Sequence, residues 1–94
     1  MPRKVEKLLD RARQTKAGWK SAELLTLYSG FGFTIREGSG SHKVISHPQF
    51  THLRATVPDH PSNELSKKYI AVAVKNIEEA IRLEEANGEE SDES

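Results

Sequence analysis

Between Phe33 and Val57 the apolar residues stop recurring at every third or fourth position and begin to alternate, and this switch of period decides the architecture. Apolar residues at i, i+3 and i+4 line one side of a helix, whereas strict alternation marks a strand with one covered face. Before the switch, Val5, Leu8, Leu9 and Ala12 form a stripe that predicts a helix over about residues 3–15. Thr15-Lys16-Ala17-Gly18 breaks that stripe, with Gly18 as the expected stop. Trp19 reads as a core anchor ahead of a second helix over about residues 21–29. Ser21 is its expected N-cap, Glu23 suits the positive end of the helix dipole, and Gly30 is the expected end.

Within the alternating section, Phe33-Thr34-Ile35-Arg36 predicts a first strand and Gly38-Ser39-Gly40 a turn. His42 to His47, ended by Pro48, predicts a second strand, and Leu53 to Val57, ended by Pro58, a third. Strands this short with connections this short form an antiparallel meander. Ile70, Ala73, Val74, Ile77, Ala80 and Ile81 restore the helical period, with Ser66 as the expected N-cap and Asn87-Gly88 as the expected C-terminal cap. Glu78, Glu79, Glu84 and Glu85 come late in that helix, against the dipole preference. The expected class is therefore α+β: a small antiparallel three-stranded sheet with helices on one face, in the order α-α-β-β-β-α. Residues 1–88 form the expected single domain, followed by an acidic disordered tail over 89–94.

The 94-residue length excludes two independent cores, and the absence of cysteine excludes disulfides and thiolate metal sites. No apolar run approaches the roughly 20 residues of a membrane helix. The basic opening Met-Pro-Arg-Lys-Val-Glu-Lys is followed by no apolar block, so a soluble cytoplasmic chain is expected. The formal net charge of zero conceals a division. Residues 1–75 carry thirteen Lys and Arg against six acids, a net of +7, and residues 76–94 carry Arg82 against eight acids, a net of −7. A basic body favours an anionic partner such as nucleic acid. The acidic end reads as a solubilising segment, with competition for the basic surface as the alternative.

Three strings sit within this order: Gly30-Phe31-Gly32-Phe33 after a helix, Gly40-Ser41-His42 opening a strand, and Val57-Pro58-Asp59-His60 ending one. Together they resemble the HicA (YcfA-like) family of toxin–antitoxin ribonucleases, over a stretch from about Val5 to Leu83. The resemblance implies a double-stranded-RNA-binding-domain-like α-β-β-β-α fold, to which this chain adds an N-terminal helix. It also implies an mRNA interferase, that is, an endoribonuclease acting on mRNA, with His42 as the catalytic residue. A HicB-type antitoxin is the implied protein partner. Departures from the family pattern are the added helix, the acidic end, and Asp59 where a basic or neutral residue is common.

Histidine suits RNA cleavage because its ordinary pKa of roughly 6.5 lets it exchange protons near neutrality, and the attacking 2′-hydroxyl belongs to the RNA itself. His42 is thus the expected general base, general acid, or both, with no metal and no cofactor. Gly40 lets the backbone approach a phosphate, and Ser41 donates a hydrogen bond or fixes the turn. Lys43 and Arg36 are expected phosphate clamps, with Arg54, Lys67 and Lys68 extending the basic track. His60 is an auxiliary candidate. His47, five positions from His42, is expected to face the other way and cap the turn at Pro48, and His52 to sit exposed in a hairpin. The spacing of the four histidines offers no helical ligand pair for zinc, and no nucleophile elbow supports Ser/His/acid hydrolysis. A non-catalytic RNA-binding module or a protein-interaction partner with the same fold are the alternative readings.

Overall fold

The computed structural model describes residues 4–59 and 64–93. Its elements are α1 (Lys4–Gln14), α2 (Ser21–Gly30), β1 (Thr34–Glu37), β2 (His42–Ser46), β3 (Arg54–Pro58) and α3 (Lys67–Glu93). The strands form one antiparallel sheet in the order β1-β2-β3, so the fold is α+β as the change of period implies. Ile35 pairs with Ile45 and Ile45 with Ala55, and two residues along, Lys43 pairs with Val57. Ile45 and Val57 are fully buried, so this row set faces the helices. Because side chains alternate along a strand, Arg36, His42, Val44, Arg54 and Thr56 project from the opposite, open face.

The core lies between the covered face and the three helices. Leu24, Leu27 and Tyr28 of α2 meet Ile70, Ala73, Ile77 and Ala80 of α3, and Trp19 closes one end. The Trp19 indole N–H donates to the Thr15 carbonyl at 3.1 Å, and the Arg11 guanidinium lies 4.4 Å above the ring. Burial pushes the Tyr28 phenol up to about 12, against a smaller opposing effect of the Asn76 amide. No helix among the described residues is long and apolar enough to cross a membrane.

Three sequence expectations need correction. The N-cap of α2 is Lys20, whose N–H donates to the Glu23 carboxylate at 3.1 Å, and Ser21 is the first helical residue. Ser21 is fully buried, and its hydroxyl is taken by a distant carboxylate instead of the helix end. Gly30 does not close α2 by its backbone: the left-handed residue is Gly32, at φ +90°. With Gly32 in that conformation, the Phe33 N–H reaches back to the Tyr28 carbonyl at 3.1 Å, which also accepts the Phe31 N–H at 3.1 Å. Gly30 serves packing, since a Cβ there would lie 2.0 Å from Val5 Cγ1 on α1. Finally, α3 runs through Asn87 and Gly88 to Glu93 rather than stopping at them. One interior glycine costs only about 1 kcal/mol relative to alanine, and the surrounding Glu and Ala residues are good helix formers.

Two of the acids late in α3, Glu78 and Glu79, also gain a reason. Glu78 accepts from the Arg13 guanidinium of α1 at 2.7 Å, and Arg13 also donates to Asp10 at 3.0 Å. Glu79 pairs with Arg82 one turn on. Arg11 in turn reaches Glu23 of α2 at 2.8 Å, so α1 is tied to both neighbouring helices by charge as well as by Leu9 and Ala12.

Gly30→Ala should cost roughly 1–3 kcal/mol of stability in denaturant unfolding by forcing α1 off α2, and Val5→Ala in the same chain should recover part of that loss. The Arg11 guanidinium and the Lys20 N–H hold the Glu23 carboxyl below its ordinary range. Its contribution to stability is therefore present above the ordinary glutamate pKa and is lost as pH falls through the lowered value. The stability gap between the wild-type chain and Glu23→Gln should accordingly close in acid, measured by unfolding at a series of pH values.

Candidate nucleic-acid interface

His42 opens β2 at one end of the sheet, on the open face and exposed. The turn that presents it is fixed by its own backbone. The Gly38 N–H donates to the His42 carbonyl at 2.9 Å, and the His42 N–H donates to the Ser39 carbonyl at 3.1 Å. Gly40 supports this turn with φ +60°, a conformation that side chains disfavour. A Cβ at Gly38 would stand 3.0 Å from Val44 Cγ2, so the turn folds tightly against β2. The His42 ring nitrogen Nδ1 lies 3.3 Å from the Ser39 carbonyl oxygen. A carbonyl only accepts, so this contact favours the tautomer protonated on Nδ1 and leaves the Nε2 lone pair free.

The arginines divide in an informative way. Arg11, Arg13 and Arg82, all on helices, are each paired with an acid. Arg36 and Arg54, both exposed on the strands, make no side-chain hydrogen bond or ion pair among the described residues. Both share the open face with His42. In register, Arg36 stands beside Val44, one row in from His42, and Arg54 stands beside Ser46, two rows in. A strand rises about 3.4 Å per residue, so the three positions span on the order of 13 Å along the sheet.

Lys43 departs from its expected role. It projects toward the helices, as the parity of β2 requires, and is committed to two carboxylates. Its ammonium pairs with Glu37 at 2.5 Å and stands 3.6 Å from Asp59. The Glu37 contact raises its pKa above the ordinary lysine value. Ser41 and Gly40 are exposed in the turn before His42. Lys67 and Lys68 are exposed in the first turn of α3, in the helical layer rather than on the open face. The Lys68 ammonium leans over the Tyr69 ring at 5.4 Å. His60 lies outside the described residues.

The remaining histidines have local tasks. His47 is buried, and its Nδ1 accepts the N–H groups of Gln49 and Phe50, each at 3.1 Å. Its ring stacks on Phe50 with centroids 4.7 Å apart and meets the edge of Phe33 at 5.0 Å. It therefore shapes the β2–β3 connection, as the sequence suggests. His52 is exposed in that same connection. No group of three or more histidine, aspartate or glutamate side chains able to hold a metal is gathered among the described residues.

Sequence reasoning missed the part of Asp59. Its N–H donates to the Ser41 carbonyl at 2.6 Å, one residue before His42. Its carboxylate accepts the buried Ser21 hydroxyl at 2.9 Å. The available signals were a serine and an aspartate each next to a predicted element end, 38 residues apart. Nothing in the spacing joins them.

A scan against family models matches residues 21–80 to the HicA toxin of bacterial toxin–antitoxin systems. The chain belongs to the HicA toxin family. The match takes in α2, the whole sheet with His42, Arg36 and Arg54, and the first half of α3, and leaves α1 outside. Neither the curated proteins nor the solved structures yield a match. Family membership makes this chain the toxin of a toxin–antitoxin pair, in a family of ribonuclease-type toxins, with an antitoxin as its counterpart.

Proposed function

We propose that this HicA-family chain is a metal-independent mRNA interferase whose catalytic residue is His42, acting in the cytoplasm and neutralised by a HicB-type antitoxin. The observation that carries the reading is the company His42 keeps: an exposed imidazole on the same sheet face as Arg36 and Arg54, which have no ion-pair partner among the described residues. With its proton on Nδ1 directed at the Ser39 carbonyl, the ring offers Nε2 as a base. Nε2 takes the proton of a ribose 2′-hydroxyl, and the oxygen left behind attacks the adjacent phosphorus. The bond from phosphorus to the 5′-oxygen breaks, and that oxygen takes up a proton from the imidazolium. The products are a 2′,3′-cyclic phosphate and a 5′-hydroxyl, with no net proton gained or lost.

Arg36 and Arg54 supply what the ring cannot. Guanidinium groups donate in a planar fork that matches phosphate oxygens, and theirs hold no ion pair among the described residues that must break first. They hold neighbouring phosphates so that the scissile one rests against His42 and the Gly40-Ser41 turn. Ser41 and the amide of Gly40 are further donors to the phosphate oxygens. Lys43 contributes through its ion pairs to the rear of the strand, and Lys67 and Lys68 extend the positive field beyond the sheet. An antitoxin covering the open face and carrying acids against Arg36 and Arg54 would both occlude His42 and replace the RNA phosphates.

Induced expression of the wild-type chain should arrest growth with decay of mRNA, and co-expression of a HicB-type partner should relieve it. His42→Ala should abolish both effects and lower cleavage of a purified RNA by at least about 100-fold, with RNA binding retained. Arg36→Ala and Arg54→Ala should weaken RNA binding, each reducing the slope of log affinity against log salt by about one. Full cleavage by His42→Ala overturns the reading. Unaltered RNA in the presence of the wild-type chain, with binding intact, favours the non-catalytic module.

A further inference from the structure

We infer that Asp59, held by Ser21, is a positioning residue for His42: a strut that fixes the histidine-bearing turn to the first turn of α2. The inference rests on the reading of His42 as catalytic and extends it to two residues that do not face the substrate.

The strut follows from where the sheet ends. His42 pairs with Pro58 in the last row of the β2–β3 ladder. Asp59 directs its N–H at β2, so by alternation the nitrogen of Pro58 faces the outer edge, where its missing N–H costs nothing. The rung that closes the sheet at this end is therefore the 2.6 Å bond from the Asp59 N–H to the Ser41 carbonyl. Beyond it there is only the exposed Ser39-Gly40-Ser41 turn. Whatever fixes Asp59 fixes the residue before His42.

Asp59 is fixed from two sides. One carboxylate oxygen accepts the Ser21 hydroxyl at 2.9 Å, and the other stands 3.6 Å from the Lys43 ammonium. Ser21 is fully buried at the first position of α2, so its hydroxyl has little freedom, and a carboxylate beside a helix N-terminus is favoured by the dipole. The helical layer at that end is itself pinned. The Leu65 N–H donates to the Trp19 carbonyl at 2.7 Å, and the Gly18 N–H donates to the Glu64 carboxylate at 2.9 Å. A chain of direct bonds thus runs from the rigid core through Ser21 and Asp59 to Ser41, and His42 is the next residue.

This placement also reconciles an acidic residue with a phosphate site close by. The carboxylate is turned inward to Ser21 and Lys43, so it opposes no phosphate on the open face. Catalysis by a positioned base is sensitive to displacement, and a misplacement of about 1 Å can cost on the order of 100-fold in rate. Loosening the strut should therefore lower turnover while leaving the arginines, and hence RNA affinity, in place.

The test is a double-mutant cycle on the full chain with a purified RNA: Ser21→Ala, Asp59→Ala and the double variant, with Asp59→Asn as the conservative replacement and His42→Ala as reference. Ser21→Ala and Asp59→Ala should each lower kcat about tenfold or more with KM within about twofold, and the double variant should be no worse than the poorer single. Asp59→Asn, which still accepts the Ser21 hydroxyl, should recover most of the lost kcat. If Asp59→Ala does not fold, a Ser21→Ala kcat lowered about tenfold beside an Asp59→Asn kcat largely retained supports the strut, and a Ser21→Ala kcat within about twofold of wild type overturns it. Values of kcat within about twofold of wild type for the single variants, or losses that multiply in the double, overturn the strut while His42→Ala still abolishes cleavage. Full activity of His42→Ala overturns instead the reading beneath it.

Discussion

The carboxylate of Asp59 is the meeting point of the structure. It joins the first turn of α2 through Ser21 and the rear of β2 through Lys43, while its own backbone closes the last rung of the sheet on Ser41. The Ser21 and Ser41 hydrogen bonds, at 2.9 and 2.6 Å, are short enough to constrain direction as well as distance, and the Lys43 ammonium at 3.6 Å adds a looser ionic attraction. An exposed turn with two glycines, Gly38 and Gly40, would otherwise be the softest part of the sheet. Tied in this way, it becomes a fixed platform for one imidazole.

Charge is arranged to the same end. The helices neutralise their own arginines: Arg11 with Glu23, Arg13 with Glu78 and Asp10, Arg82 with Glu79. The strands leave Arg36 and Arg54 without such partners among the described residues. Exposed ion pairs add little to stability, commonly less than about 1 kcal/mol, so their larger effect here is to decide which cations remain available. The net charge of zero hides this division, since eight of the fourteen acids fall within residues 76–94.

Much of this was legible in the chain itself. The change of hydrophobic period located all three strands within a residue or two, and alternation alone separates His42 from Lys43 and from His47. The assignment of Lys43 as a phosphate clamp beside His42 overlooked that parity, which was available. Other features depend on contacts that no local pattern encodes. Ser21 has the composition of an N-cap, yet its hydroxyl is used 38 residues away by Asp59. Gly30 resembles a helix terminator, yet its missing side chain makes room for Val5. Asn87-Gly88 reads as a stop, yet a single glycine is too weak a signal to end a helix rich in Glu and Ala. Glu78 looked misplaced against the dipole until Arg13 supplied its partner.

The nature of the newly formed RNA ends tests the central claim most directly, because a histidine that activates a ribose hydroxyl leaves a chemical record. An RNA oligonucleotide incubated with the wild-type chain in excess chelator should yield 2′,3′-cyclic phosphate and 5′-hydroxyl ends. The same oligonucleotide bearing 2′-O-methyl groups should remain intact. Products ending in 3′-hydroxyl and 5′-phosphate, formed only without chelator or formed equally from the methylated RNA, would contradict the account.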